Sequence, residues 1–111
     1  MAYFHKNLTQ EKWNNLDKDK QILNIISELM RAKNWFNKNK EYARNSLDRA
    51  FELIDLIVSS KKWTKGSLKE LLRFREVLGE FYINNIIDIK KFTKLMQNFL
   101  LFNKKSAMVK L

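Results

Sequence analysis

The stretch KDKQILNIISELMRAKNWFN, residues 18–37, decides the fold because its apolar residues recur at the spacing of an α-helix. These residues are Ile22, Ile25, Ile26, Leu29, Ala32 and Phe36. Asp17 is a suitable N-cap in front of the stretch, and the polar run at 37–40 marks its end. The pattern predicts an amphipathic helix from Lys18 to about Asn37 with one face in a core.

Three more segments around this helix show the same periodicity. One runs from about 41 to 59, another begins at a predicted capping box from Ser67 to Glu70, and the last covers about 88–103. The buried side of the third segment is predicted to comprise Leu68, Leu71, Leu72, Leu78, Phe81 and Tyr82. Ahead of them, Thr9 is predicted to cap a short lead-in that carries Trp13.

Few residues interrupt these segments, since the chain has no proline and its only glycines are Gly66 and Gly79. Four helices of about 16–20 residues with short connections favour an all-α, up-and-down four-helix bundle. With 111 residues the chain is expected to form one domain over 1–111, with a lead-in at 1–16 and a tail at 104–111 that frays.

The composition also limits the kind of site. The chain has no cysteine and one histidine, His5, so neither a disulfide framework nor a histidine or thiolate metal site is expected. The N-terminus lacks the regions of a signal peptide, and no apolar run reaches the roughly 18 residues of a membrane span. We therefore predict a cytoplasmic protein without a metal or other cofactor.

Positive charge is concentrated in the second half of the chain. Residues 1–60 carry 10 basic and 8 acidic groups, whereas residues 61–111 carry 12 and 4. Such an excess is typical of a surface that binds phosphates. Acidic proteins and anionic membranes attract the same charge, and heavy use of lysine and asparagine also fits an AT-rich genome. Of these alternatives we favour RNA or DNA as partner, and predict no membrane partner.

The residues predicted to contact nucleic acid lie in one loop and two helical segments. They are Lys61, Lys62, Trp63, Lys65, Lys69, Arg73, Lys90, Lys91 and Lys94. An exposed indole at Trp63 would stack on an unpaired base while the lysines beside it hold phosphates. The alternative for Trp63 is a structural one, a side chain that closes the end of the bundle.

Several charged residues fall within or beside the apolar stripes, where a charge is costly unless it is paired. Glu28, Arg75 and Glu76 are predicted to form an ion network between helices that fixes their register. The other interpretation is an active site, but the chain shows no spacing of nucleophile, base or metal ligands that supports one. We therefore predict that the protein is not an enzyme.

Four strings resemble a family of small, uncharacterised bacterial helical proteins: residues 13–16, QILNIISELMRAKNW at 21–35, SLDRAFELIDL at 46–56 and LKELLRFREVL at 68–78. More distantly, the chain is similar in size, basicity and helix count to the accessory variability determinant proteins of diversity-generating retroelements and to the proteins encoded in intervening sequences of 23S ribosomal RNA genes. This second resemblance implies a homo-oligomeric, ring-shaped basic bundle that binds nucleic acid and a reverse transcriptase. It assigns no functional residue, because no motif is shared.

Two functions are carried forward. The first is a non-catalytic accessory subunit that holds RNA or DNA on a basic surface for a partner enzyme. The alternative is a helical protein-interaction module, or a small subunit of a larger ribonucleoprotein or defence complex, that docks through exposed aromatic residues. Its predicted docking residues are Tyr3, Phe4, Phe74 and Phe102.

Overall fold

The computed structural model describes residues 9–60, 63–84 and 87–101, and this part of the chain is an all-α helical bundle without strands. Its helices are α1 (Gln10–Asn14), α2 (Lys18–Trp35), α3 (Lys40–Ser60), α4 (Lys65–Ile83) and α5 (Ile89–Leu100). The all-α fold and the short lead-in helix are thereby confirmed, while the up-and-down order of the four long helices stays a prediction. No helix in these ranges is long and apolar enough to cross a membrane.

The helices begin at side chains that accept hydrogen bonds from the free N–H groups of the first turn. Thr9 caps α1 and Asp17 caps α2, as predicted. The capping box at Ser67 is wrong, because α4 begins at Lys65 and Thr64 is its N-cap, with Thr64 Oγ1 accepting from Ser67 N–H at 3.1 Å. The buried ring of Trp63 holds the chain one residue before this cap, so the helix starts directly behind it.

The core lies between the four long helices. Helix α2 packs along most of α3 and also contacts α5, α4 lies against α3 and α5, and α1 covers part of α3. The apolar stripe of α2, from Ile22 to Phe36, is buried at all six positions, as the periodicity predicted. Phe92 on α5 joins the core by edge-to-face contacts with Phe36 and Phe81, at ring-centroid distances of 4.7 and 5.2 Å.

The predicted buried side of α4 needs two corrections. Leu72 is 46% exposed, whereas Phe74, predicted to be an exposed docking residue, is buried and stacks on Phe99 at 4.3 Å. The reason is that α5 covers the side of α4 that carries Phe74 and Phe81, which moves the buried stripe away from Leu72. Tyr3, Phe4 and Phe102 lie outside the described residues.

Contacts between helices divide the bundle into two ends. Phe36, Phe81 and Phe92 meet near the α2–α3 turn, and Tyr82 reaches Asp48 at the same level. We call this the turn end and define it as residues 29–50, 80–84 and 87–94. All other described residues form the far end, where α1, the start of α2 and the start of α4 meet.

Candidate nucleic-acid interface

The two ends of the bundle differ in charge. Of the described residues, those of the turn end include 9 basic and 4 acidic side chains, whereas those of the far end include 7 and 8. The turn end therefore has a net charge of +5 and the far end one of −1; if Glu28 is counted with its ion-pair partner Arg31 in the turn end, the values are +4 and 0. The other six positive charges of the chain belong to residues outside the described ranges, namely Lys6, Lys61, Lys62, Lys104, Lys105 and Lys110. An excess of positive charge at one end attracts a polyanion.

Helix α5 contributes three lysines to the turn end. Lys90, Lys91 and Lys94 are exposed on the side of the helix opposite Phe92, which is fully buried and anchors it. No ion pair among the described residues includes any of the three. Asp88 lies beside them, but its carboxylate accepts from the N–H groups of Lys90 and Lys91 as the helix cap. The three ammonium groups are therefore available to an external anion.

The position of these lysines is unfavourable for the helix itself. The N-terminal end of a helix carries a partial positive charge that favours acidic side chains. The first turns of α1, α2 and α3 each contain an acid, namely Glu11, Asp19 and Glu41. The first turns of α4 and α5 contain none and carry lysines instead, although the carboxylate of Asp88 caps α5. The lysines of α5 add to the positive potential at the turn end.

The α2–α3 turn adds further cations at the same end. Lys33, Lys38, Lys40 and Arg44 belong to this turn and the helix ends beside it. The backbone of the turn is fixed, because the N–H groups of Lys38 and Asn39 donate to Trp35 O at 3.0 and 2.8 Å. Since the turn is held in place, the cations extend from a rigid base.

Arg44, Tyr82 and Asp48 form a small cluster where α3 meets α4. Tyr82 donates its hydroxyl hydrogen bond to Asp48 Oδ2 at 3.4 Å, and the Arg44 guanidinium lies 5.9 Å from the centroid of the Tyr82 ring. Partial burial raises the pKa of Asp48, although the bond from Tyr82 works in the opposite direction. Burial, followed by the nearby Asp48 charge, raises the pKa of Tyr82. The hydrogen bond between Tyr82 and Asp48 links α4 to α3.

The predicted lysines of α4 are exposed but lie elsewhere. Lys65 and Lys69 belong to the far end, as does Arg73, whose Nη1 donates to Glu70 Oε1 at 3.1 Å. The ring pairs along α4 and α5 show that the two helices run in opposite directions. Lys65 and Lys90 are therefore separated along the pair by roughly 25 Å, from the rise of 1.5 Å per residue. The predicted contacts do not form one continuous surface.

Trp63 does not have the predicted exposed position. Its side chain is 8% exposed, and its Nε1–H donates to Gln21 Oε1 at 3.0 Å. Gln21 is itself fully buried and donates through Nε2 to Trp13 O at 2.9 Å. The stacking role is therefore wrong and the structural alternative holds: Trp63 closes the far end, with Lys18 Nζ 5.2 Å from the centroid of its ring. Lys61 and Lys62 lie outside the described residues.

The predicted ion network is also wrong. Glu28 is buried and pairs with Arg31, one turn further along the same helix, at 2.8 Å. Arg75 binds Asp55 on α3 through two hydrogen bonds of 3.0 and 3.3 Å. Glu76 is exposed and enters no ion pair that the described residues show. The sequence indicated which residues were charged, but the partners depend on helix rotation, which periodicity alone does not fix.

Two exposed aromatic residues at the turn end were missed. Trp35 is 37% exposed and Tyr42 is 50% exposed, and their rings meet edge-to-face. A signal existed in the sequence, because Trp35 falls outside the apolar stripe that predicts the buried face of α2. The lysines beside Trp63 in the sequence favoured that residue, but the exposed tryptophan is Trp35.

The described part of the bundle has a small pocket at the turn end and a larger, shallow depression at the far end. The pocket is half open, lies between α3, α4 and Ile87, and measures about 10 Å³, which is the space of one water molecule. The depression measures about 330 Å³, is open to solvent, and is lined by Gly66, Ser67, Glu70, Asn98 and Leu101. The described ranges contain no group of three or more His, Cys, Asp or Glu side chains that could hold a metal ion. A scan against protein-family models and searches of curated proteins and of solved structures found no match.

Proposed function

We propose that the protein is a non-catalytic, nucleic-acid-binding accessory subunit whose turn end holds RNA or DNA. The observation that carries the proposal is the +5 charge of the turn end against −1 at the far end. The three exposed lysines of α5 are the centre of the proposed binding surface, because none of them takes part in an ion pair among the described residues. Each phosphate that such a lysine neutralises releases a counterion, which favours binding.

An accessory rather than a catalytic role is proposed because nothing at the turn end supports catalysis. The cavity there is the size of one water molecule, and the one tyrosine–carboxylate contact is a structural hydrogen bond between α3 and α4. A catalytic site needs a nucleophile or base with an orienting partner beside a space for substrate. The surface is suited to positioning a polyanion for another protein.

The partner enzyme and the oligomeric state belong to the proposal through the resemblance. The accessory proteins of diversity-generating retroelements are similar in helix count and basicity, which favours a reverse transcriptase as partner and a homo-oligomer as the assembled form. In an oligomer the turn ends of several copies would add their charges, and the salt dependence of binding would become steeper than for one copy.

A salt titration tests the proposal directly. Fluorescence anisotropy of a labelled RNA and a labelled DNA oligonucleotide would be measured with the full chain at about 50 and about 200 mM salt. If three phosphates are neutralised, the affinity should fall about 40-fold between these concentrations for duplex DNA and about 20-fold for a single strand. Binding that is absent, or that does not change with salt, would show that the turn end does not act through phosphate contacts.

A second candidate function is the helical interaction module, and exposed apolar residues on α4 favour it. Leu72 is 46% exposed and Ile83 is 73% exposed. Light scattering of the wild type and of Leu72→Ser/Ile83→Ser would show whether this side of α4 mediates self-association. A smaller particle for the variant would support the module, whereas an unchanged particle would oppose it.

A further inference from the structure

The aromatic pair at the α2–α3 turn has no evident role in the core. Phe36, the residue after Trp35, is the one that enters the core and contacts Phe92, while Trp35 turns outward. Trp35 and Tyr42 meet at a centroid distance of 4.9 Å and an angle of 87° between the ring planes. An edge-to-face contact of this kind occupies at most one face of one ring. With Trp35 37% and Tyr42 50% exposed, part of each side chain stays accessible at the surface.

The backbone holds this pair in position. Trp35 O accepts from the N–H groups of Lys38 and Asn39, and Asn39 Oδ1 accepts from Tyr42 N–H at 3.1 Å. The turn therefore fixes the end of α2 and the start of α3 relative to each other. Rings that are already positioned lose little conformational freedom when they bind a ligand.

Cations surround the pair. Arg31 lies one turn before Trp35 on the same side of α2, and its side chain is 60% exposed even though it pairs with Glu28. Lys38 is exposed in the turn that separates the two rings. Arg31 and Lys38 therefore place positive charge on the two sides of Trp35 in the chain, and such charge favours the phosphates of a strand whose base stacks on the pair.

We infer that Trp35 and Tyr42 form a stacking site for an unpaired base, so that the turn end prefers single-stranded RNA or DNA to a duplex. In a duplex each base is already stacked on its neighbours, whereas an unpaired base can stack on a protein ring. The inference rests on the proposed function and deepens it: the lysines provide binding to any polyanion, and the aromatic pair provides the preference for single strands.

Tryptophan fluorescence gives a test that needs no variant. Trp13 is 1% exposed and Trp63 is 8% exposed, so Trp35 is the tryptophan that a ligand can reach. Titration with an oligo-dT or oligo-U strand should quench the fluorescence, while a duplex and polyglutamate of equal charge should quench it much less. Equal quenching by polyglutamate or by the duplex would overturn the stacking site.

Variants provide the second readout. Trp35→Ala should weaken binding of the single strand about tenfold, from the usual contribution of one stacked base, and leave duplex binding within about twofold of wild type. Trp35→Phe should restore most of the loss, and Leu72→Ala is the matched control for loss of an exposed apolar side chain away from the turn end.

The outcomes separate this inference from the function on which it rests. If the wild type binds both single strands and duplexes but Trp35→Ala changes neither, the stacking site is wrong and the proposed function remains. If Trp35→Ala weakens both equally, the preference for single strands is wrong. If the wild type binds no nucleic acid, the proposed function and the stacking site both fail.

Discussion

The two ends of the bundle use the same kinds of residue differently. At the far end, Trp63 has lysines beside it in the sequence but is buried, and its indole N–H donates to Gln21 Oε1. At the turn end, Trp35 also has lysines nearby in the sequence, but it is exposed and contacts only the edge-to-face partner Tyr42 among the described rings. An aromatic residue beside lysines therefore has two possible roles, and the tertiary partner decides between them.

The two ends also differ in how their charged side chains are paired. Two acids of the far end are paired with arginines of the same end, Asp55 with Arg75 and Glu70 with Arg73, so these charges cancel locally. The lysines of α5 have no acidic partner among the described ion pairs, apart from their position beside the cap Asp88. We therefore expect stability to depend on buried links at both ends and binding to depend on the turn end alone.

The largest expected effect concerns Phe92, whose buried ring packs in the core of the turn end. Phe92→Ala removes a fully buried ring that contacts Phe36 and Phe81, and should lower the free energy of unfolding by about 4 kcal/mol. Urea unfolding followed by circular dichroism measures the change. Leu101→Ala, at an exposed position just behind α5, is the control and should cost no more than about 0.5 kcal/mol. Similar losses for both variants would contradict the proposed packing.

The next effect concerns the buried hydrogen bonds by which Gln21 joins Trp63 to Trp13 at the far end. Gln21→Leu leaves Trp63 Nε1–H without its partner in a buried site, whereas Trp13 O keeps its bond from Leu16 N–H at 3.1 Å. The change should lower the free energy of unfolding by about 2 kcal/mol. Asn24→Leu is the matched control, since Asn24 is exposed and bonds only to Lys20 O one turn earlier. The same unfolding measurement would reject the link if the two variants were equally stable.

The fold was largely predictable because it follows from local periodicity. The stripe from Ile22 to Phe36 and the caps Thr9 and Asp17 appear in the structure as predicted. The start of α4 was not, because Thr64 and Ser67 are both good caps and the burial of Trp63, by a partner 42 positions away in sequence, favours Thr64. Local signals specify that a helix forms, and long-range contacts select where it begins.

The candidate site was only partly predictable. Lys90, Lys91 and Lys94 are exposed as expected, because the periodicity of α5 places them opposite its buried stripe. Their association with the cations of the α2–α3 turn was not predicted, since it depends on which helix ends meet. Counting charge by halves of the sequence concealed this, because the turn end combines residues from both halves.

The third prediction compares the two ends in binding. Lys90→Gln/Lys91→Gln/Lys94→Gln should weaken nucleic-acid binding about tenfold, because three phosphate contacts are lost. Lys65→Gln/Lys69→Gln/Arg73→Gln removes the same charge from the far end and should weaken it less than about threefold, through the general field alone. Anisotropy titrations at fixed salt measure both. Equal losses would mean that net charge, rather than the turn end, determines binding.

The smallest expected effect concerns pH and stability at the contact of α3 with α4. Because burial raises the pKa of Asp48, the folded state favours its protonated form. The contribution of this group to stability is therefore fully present below the ordinary pKa of 3.8 and is lost as pH rises through the folded value. Asp48→Asn stays neutral at every pH. Near pH 7 this variant should be as stable as the wild type, or more stable by up to about 0.5 kcal/mol.

The control for this prediction is another α3 acid that faces α4. Asp55→Asn breaks the paired contact with Arg75, so it should lower stability near neutral pH by up to about 1 kcal/mol. The two Asp→Asn changes are therefore expected to act in opposite directions, although both remove one negative charge from the same helix. Urea unfolding at pH values from about 3 to 7 compares them. A loss of stability in Asp48→Asn as large as in Asp55→Asn would show that the Asp48 carboxylate is stabilising, contrary to the direction of its pKa.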